Sequence, residues 1–134
     1  MTPRATLAAT LLSVAATAAI GDASEHIGGQ AMYDRCIACH AIDRNRTGPL
    51  HCGLFGRKAG AAPGFAFYSD AMRNSGIVWN AQTLERFLRD PAAMVPGTTM
   101  GYAGIADARE RTALIAWLQD ATRAGARCMV PGVP

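Results

Sequence analysis

The sequence predicts an all-α domain of four to five short helices separated by long loops, and three observations carry that prediction. No stretch alternates apolar and polar residues with the period of a strand. Two segments instead repeat apolar residues at helical spacing behind a capping side chain. The third observation is local: Cys36, Cys39 and His40 stand at i, i+3 and i+4, one face of a helical turn. Cys-x-x-Cys-His at this spacing is the attachment pattern of a c-type haem. Each thiol can form a thioether to one vinyl group of a single porphyrin. His40 then lies under the iron and offers its imidazole as the proximal ligand.

The elements follow in chain order. Residues 1–23 read as an export signal: a positive start through Arg4, an apolar run from Leu7 to Ile20, then small residues with cuts after Ala18 or Ala23. The run is too short for a comfortable membrane span, and no later run is apolar enough to serve as one. The folded domain is expected over residues 24–126, with a tail at 127–134. A first helix is expected from Gly28 to about Ala38, with Met32 and Tyr33 on its apolar side. From Ala41 to Tyr68 there is no sustained periodicity, only glycine- and proline-marked turns. So long a loop is unusual in a small domain, unless a cofactor supplies the core it wraps. Ser69 can cap a short helix ending at Gly76, with Asp70 in its first turn. Asn80 can cap the next, where Leu84, Phe87 and Leu88 share a face and Pro91 closes it. A second loop, Pro96 to Gly104, precedes the strongest helix. There Asp107 and Glu110 suggest a capping box, Leu114, Trp117, Leu118 and Ala121 form a stripe, and Gly125 can stop it.

Composition narrows the function classes. Net charge is +3, the basic residues are scattered, and Lys58 is the only lysine, which is no nucleic-acid footprint. Four cysteines admit a zinc module, but a second close Cys pair is missing. A thioredoxin-like site needs a βαβ context that the pattern lacks. A mature domain of roughly 110 residues buries a modest core, so a covalently held apolar cofactor would weigh heavily in its stability.

Beyond the five-residue motif, further segments carry a resemblance. They are Thr47-Gly48-Pro49, Gly53-Leu54-Phe55-Gly56-Arg57, Pro63-Gly64-Phe65, Tyr68-Ser69-Asp70-Ala71, Gly76-Ile77-Val78-Trp79, Pro96 to Ile105, and Leu114-Ile115-Ala116-Trp117-Leu118. In order and near-spacing, the chain from Gly28 to about Ala124 resembles a class I monohaem cytochrome c. The resemblance implies the cytochrome c fold around one covalent haem c. It implies a periplasmic one-electron carrier rather than an enzyme, a monomer whose redox partner proteins dock at the exposed haem edge. It implies Met100 as the second axial ligand beside His40, Pro49 as carbonyl acceptor from the His40 ring, and Arg57, Tyr68 and Trp79 at a propionate. Tyr102 would lie against the haem near that edge. Gly28 or Gly29 and Tyr33 would cross Leu114 and Trp117. Two alternatives keep the haem: a subunit of a periplasmic dehydrogenase complex, or an enzyme or sensor with Met100 displaced.

The chain also departs from the family. Phe87 stands where many relatives carry a Tyr, Met72 where an Asn is common, and Leu50-His51-Cys52-Gly53 differs from the usual order. Ala92, Ala93 and Thr99 occupy positions that are often Lys, which implies weak electrostatic steering and docking through a mostly apolar patch around Gly101, Tyr102 and Ala103. Cys52 and Cys128 remain over. In an exported protein such a pair suggests a disulfide, and the family fold brings their segments near each other; two free thiols are the alternative.

Overall fold

The structure, a computed structural model, describes residues 28–125 and Cys128. The expected export signal at 1–23, residues 24–27, residue 126 and the rest of the 127–134 tail lie outside the described residues.

Residues 28–33 form helix α1. The helix stops short of the expected Ala38 because its hydrogen bonding tightens. Asp34 N still bonds Gln30 O, but Arg35 N and Cys36 N reach back three residues, to Met32 O and Tyr33 O. A fresh turn then closes on the Cys36 carbonyl, which accepts from both Cys39 N at 3.1 Å and His40 N at 2.9 Å. Loops follow as far as Ser69. Within them residues 56–59 run antiparallel to 77–79, with Gly56 N to Trp79 O, Trp79 N to Arg57 O and Ala59 N to Ile77 O. The pairing amounts to a bridge at Lys58 and Val78, and the described residues contain no strand.

Helix α2 (Asp70–Arg73) starts where the Ser69 hydroxyl accepts from Met72 N. Helix α3 (Ala81–Arg89) opens on a full capping box, the Asn80 and Thr83 side chains each accepting the other's backbone N–H at 2.8 Å. Its Leu84, Phe87 and Leu88 are buried. Pro91 closes α3 as expected and also opens an unforeseen helix, α4 (Pro91–Met94), capped by Asp90. A proline at the first helical position sacrifices no hydrogen bond, so the residue that stops one helix can start another. Helix α5 (Ala108–Ala121) is capped by Asp107, whose carboxylate accepts from Arg109 N and Glu110 N. Glu110 reaches across to Arg35 at 3.4 Å, so the expected reciprocal half of that box is used for a tertiary contact.

Packing of α1 across α5 depends on Gly29. A Cβ there would run into the Ala113 carbonyl and the Trp117 Cβ. With no side chain in the way the helices close up, and the Tyr33 ring packs on Trp117 at 4.7 Å. Helix α3 packs on α5 as well, and the three helices with Trp79 and Ile105 enclose one core. A smaller cluster holds Leu50, Cys52 and Cys128. Cys52 and Cys128 form a disulfide with Cα atoms 5.3 Å apart, and Gly53 N bonds the buried Thr122 carbonyl at 2.7 Å. The long loop is thereby tied to the end of α5. No helix among the described residues is long and apolar enough to cross a membrane.

Candidate functional site

The turn built on the Cys36 carbonyl brings Cys36, Cys39 and His40 onto one side of the chain. Both cysteines carry free thiols, Cys36 half-buried and Cys39 exposed. Burial pushes the Cys36 thiol up to about 11, with Arg35 opposing and Cys39 adding, so it stays protonated at neutral pH. The Cys39 carbonyl accepts from Gly48 N at 2.7 Å, folding the Thr47-Gly48-Pro49 segment back over His40.

His40 is buried, and its Nδ1 lies 2.8 Å from the Pro49 carbonyl. A carbonyl can only accept, so Nδ1 carries the proton and the Nε2 lone pair is left free. Burial lowers the His40 pKa, with the Pro49 bond opposing, and the neutral ring is the form that ligates a metal. Gly48 makes room for this ring: a Cβ would sit 2.5 Å from His40 Cε1.

Arg57, Tyr68 and Trp79 are also brought together. Trp79 is buried, packs on Phe87 at 5.0 Å, and donates its backbone N–H to the Arg57 carbonyl. The Arg57 guanidinium donates to Cys52 O at 2.7 Å and Leu50 O at 2.9 Å. Its Nε is buried with no partner. The Tyr68 hydroxyl accepts from Ala62 N at 3.2 Å, leaving its own O–H to donate. Burial raises the Tyr68 pKa, while the Ala62 bond and the Arg57 charge pull against it. Met100 and Tyr102 are half-buried and edge the same core as Cys36 and Tyr68. Met100 N bonds the Thr98 hydroxyl at 3.2 Å.

Two features went unread as functional in the sequence. His51 lies against His40, 4.4 Å between ring centroids. Arg111 is buried, donating to Ile105 O at 2.6 Å, Ala106 O at 2.9 Å and the Glu85 carboxylate at 2.7 Å. A sign of the second was present, since Arg111 stands three residues before Leu114 on an otherwise apolar stripe.

The donor set accommodates only some chemistries. The disulfide removes Cys52 and Cys128 from any zinc module, and no three His, Cys, Asp or Glu side chains converge as a metal site among the described residues. A haem fits better. Two free thiols and a neutral imidazole share one turn, a thioether lies at the core's edge, and an orphaned buried guanidinium N–H lacks an acid oxygen to bond. Fold and site together define a c-type haem protein.

Comparison with known proteins narrows this further. No protein-family model matches the sequence. Cytochrome c2 of Blastochloris viridis is 38% identical over 120 residues, covering 87% of this chain and 94% of the relative. Cytochrome c-550 of Bradyrhizobium diazoefficiens is 46% identical over 85 residues, 61% of this chain and 62% of the relative. Among solved structures, cytochrome cH from Methylobacterium extorquens superposes with a TM-score of 0.68 at 38% identity, over 71% of this chain and 97% of that one. The chain belongs to the class I monohaem cytochromes c, electron carriers built on one covalent haem c.

Proposed function

We propose that Cys36 and Cys39 hold the haem as thioethers and that His40 and Met100 ligate its iron. The observation that carries this is His40: a buried ring whose Nδ1 is committed to Pro49 and whose Nε2 is free, on the same turn as two unpaired thiols. When bound, the haem stores one electron in its iron as Fe(II) and releases it as Fe(III). The chain's part is to keep the ligands constant through that change. Pro49 holds the His40 tautomer, the loop around Met100 presents a soft sulfur that favours Fe(II), and Arg57, Tyr68 and Trp79 neutralise a buried propionate. Were His40 and Met100 both to ligate the iron, a substrate would find no ligand position there, which supports a carrier rather than an enzyme.

The carrier is a monomer that works in the periplasm, taking electrons from one partner protein and passing them to another. An intact disulfide suits an oxidising compartment, and the expected export signal agrees. Partners dock over exposed Gly101 and Ala103 beside Tyr102.

Carbon monoxide tests the ligand set. Reduced wild-type protein is expected to leave the gas unbound. Met100→Ala should bind it, lose the sulfur-to-iron absorption band and show a lower midpoint potential. Carbon monoxide binding by the wild type overturns the reading in favour of an open iron.

A further inference from the structure

His51 has no part in the roles assigned above, yet it touches the residue on which they depend. Its ring lies 19° from parallel to the His40 ring. Its Nδ1 is 3.1 Å from the Tyr33 hydroxyl, and Tyr33 packs on Trp117 of α5. Burial raises the Tyr33 pKa, with Cys36 and Asp43 adding, so its O–H is intact. The Tyr33 hydroxyl and His51 Nδ1 share this hydrogen bond, which orients the His51 ring whichever of the two donates.

The geometry confines the His40 ring three ways. Pro49 holds its Nδ1, the Gly48 backbone lies against it, and the His51 face stacks on it. The stacked π face of His51 also interacts more favourably with the His40 ring as that ring grows more positive. An imidazole ligating Fe(III) is more positive than one ligating Fe(II).

We propose that His51, oriented by Tyr33, is a positioning residue for the proximal ligand, setting the plane of the His40 ring and favouring the ferric state. The proposal rests on His40 ligating the iron, and the test keeps the two apart. Holo-protein is prepared as wild type, His51→Leu, Tyr33→Phe and the double variant. Each is read by midpoint potential, by the sulfur-to-iron band, and by the ferric haem-methyl proton shifts, which follow the plane of an axial imidazole. His51→Leu should keep the band, change the methyl shift pattern and raise the midpoint. Tyr33→Phe should also change the pattern, and the double variant should move the midpoint no further than His51→Leu, because Tyr33 acts through His51. Wild-type methyl shifts with an unchanged or lower midpoint in His51→Leu would overturn the proposal, as would additive effects of the two changes. Should His51→Leu fail to fold, Tyr33→Phe decides alone: an altered methyl pattern supports the proposal and an unaltered one defeats it. A low-spin spectrum that survives His40→Ala defeats the ligation reading, and the proposal with it.

Discussion

Individual side chains in this protein matter most where they leave room or leave a valence open. Gly48 does the first, since any Cβ there would press on His40 Cε1. Gly48→Ala must displace either the ring or the loop, and overpacking of this kind typically costs about 1–3 kcal/mol. The expected outcome is a holo-protein less stable by that amount and a lower haem content per chain, measured by chemical denaturation and by pyridine haemochrome absorbance. His40 and Arg57 show the second. His40 spends one ring nitrogen on Pro49 and keeps the other free, while Arg57 spends two N–H groups on carbonyls and keeps Nε. The motif makes His40 readable from sequence. The Arg57 geometry was out of reach, because its partners Leu50 and Cys52 are backbone carbonyls, which any residue supplies.

Among the elements, the segment bearing Met100 is held by its neighbours more than by itself. Ile105 N bonds Leu88 O at 2.8 Å, and Arg111 of α5 gathers the Ile105 and Ala106 carbonyls with Glu85 of α3. Glu85 also pairs with Arg89. Hydrogen bonds from Arg89 and then Arg111 hold its carboxyl below the usual range, against a smaller desolvation effect. A carboxylate whose folded pKa is depressed stabilises the fold above its unfolded value of about 4.3, and that contribution is lost as pH falls through the folded value. Wild-type stability should therefore drop on acidification below about pH 4. Glu85→Gln should start lower at neutral pH and show a flatter acid limb in urea midpoints measured from pH 7 to pH 3. The caps at Ser69, Asn80 and Asp107 were legible because capping is local, and so were α3 and α5 by their apolar spacing. Helix α4 was missed because Asp90-Pro91 reads equally as a stop and as a start.

At the scale of the whole molecule, two features set behaviour: one covalent tie and the pairing of several surface arginines. The disulfide closes a loop of 76 residues, which in the chain-entropy model is worth on the order of 4 kcal/mol. Replacing Cys52 and Cys128 together by Ala should lower stability by about that much, read from denaturant midpoints of the holo-protein, with the absorption spectrum unchanged. About half of the described basic residues are paired with carboxylates. Arg35, Arg44, Arg73, Arg89 and Arg123 each sit beside a carboxylate, and Arg111 is buried. With these charges offset locally and Ala92, Ala93 and Thr99 uncharged, steering of a charged partner is expected to be weak. Electron-transfer rates in stopped flow should therefore change little between low and physiological salt, and a steep fall would contradict docking through an apolar patch.

What could be learned before any coordinates is whatever depends on near neighbours in the chain: the haem-attachment turn, three of the helix caps, the apolar faces of α3 and α5, and the all-α class. These follow from spacings of three and four residues, which local geometry alone imposes. What needed the folded chain is whatever joins distant segments. That includes the Arg111 clasp on the Ile105 and Ala106 carbonyls and the stack of Tyr33, His51 and His40, and it includes the choice between the suggested Cys52–Cys128 disulfide and two free thiols, which the folded chain settles for the disulfide. Such contacts arise only when packing brings the segments together, and no periodicity in a linear chain records them.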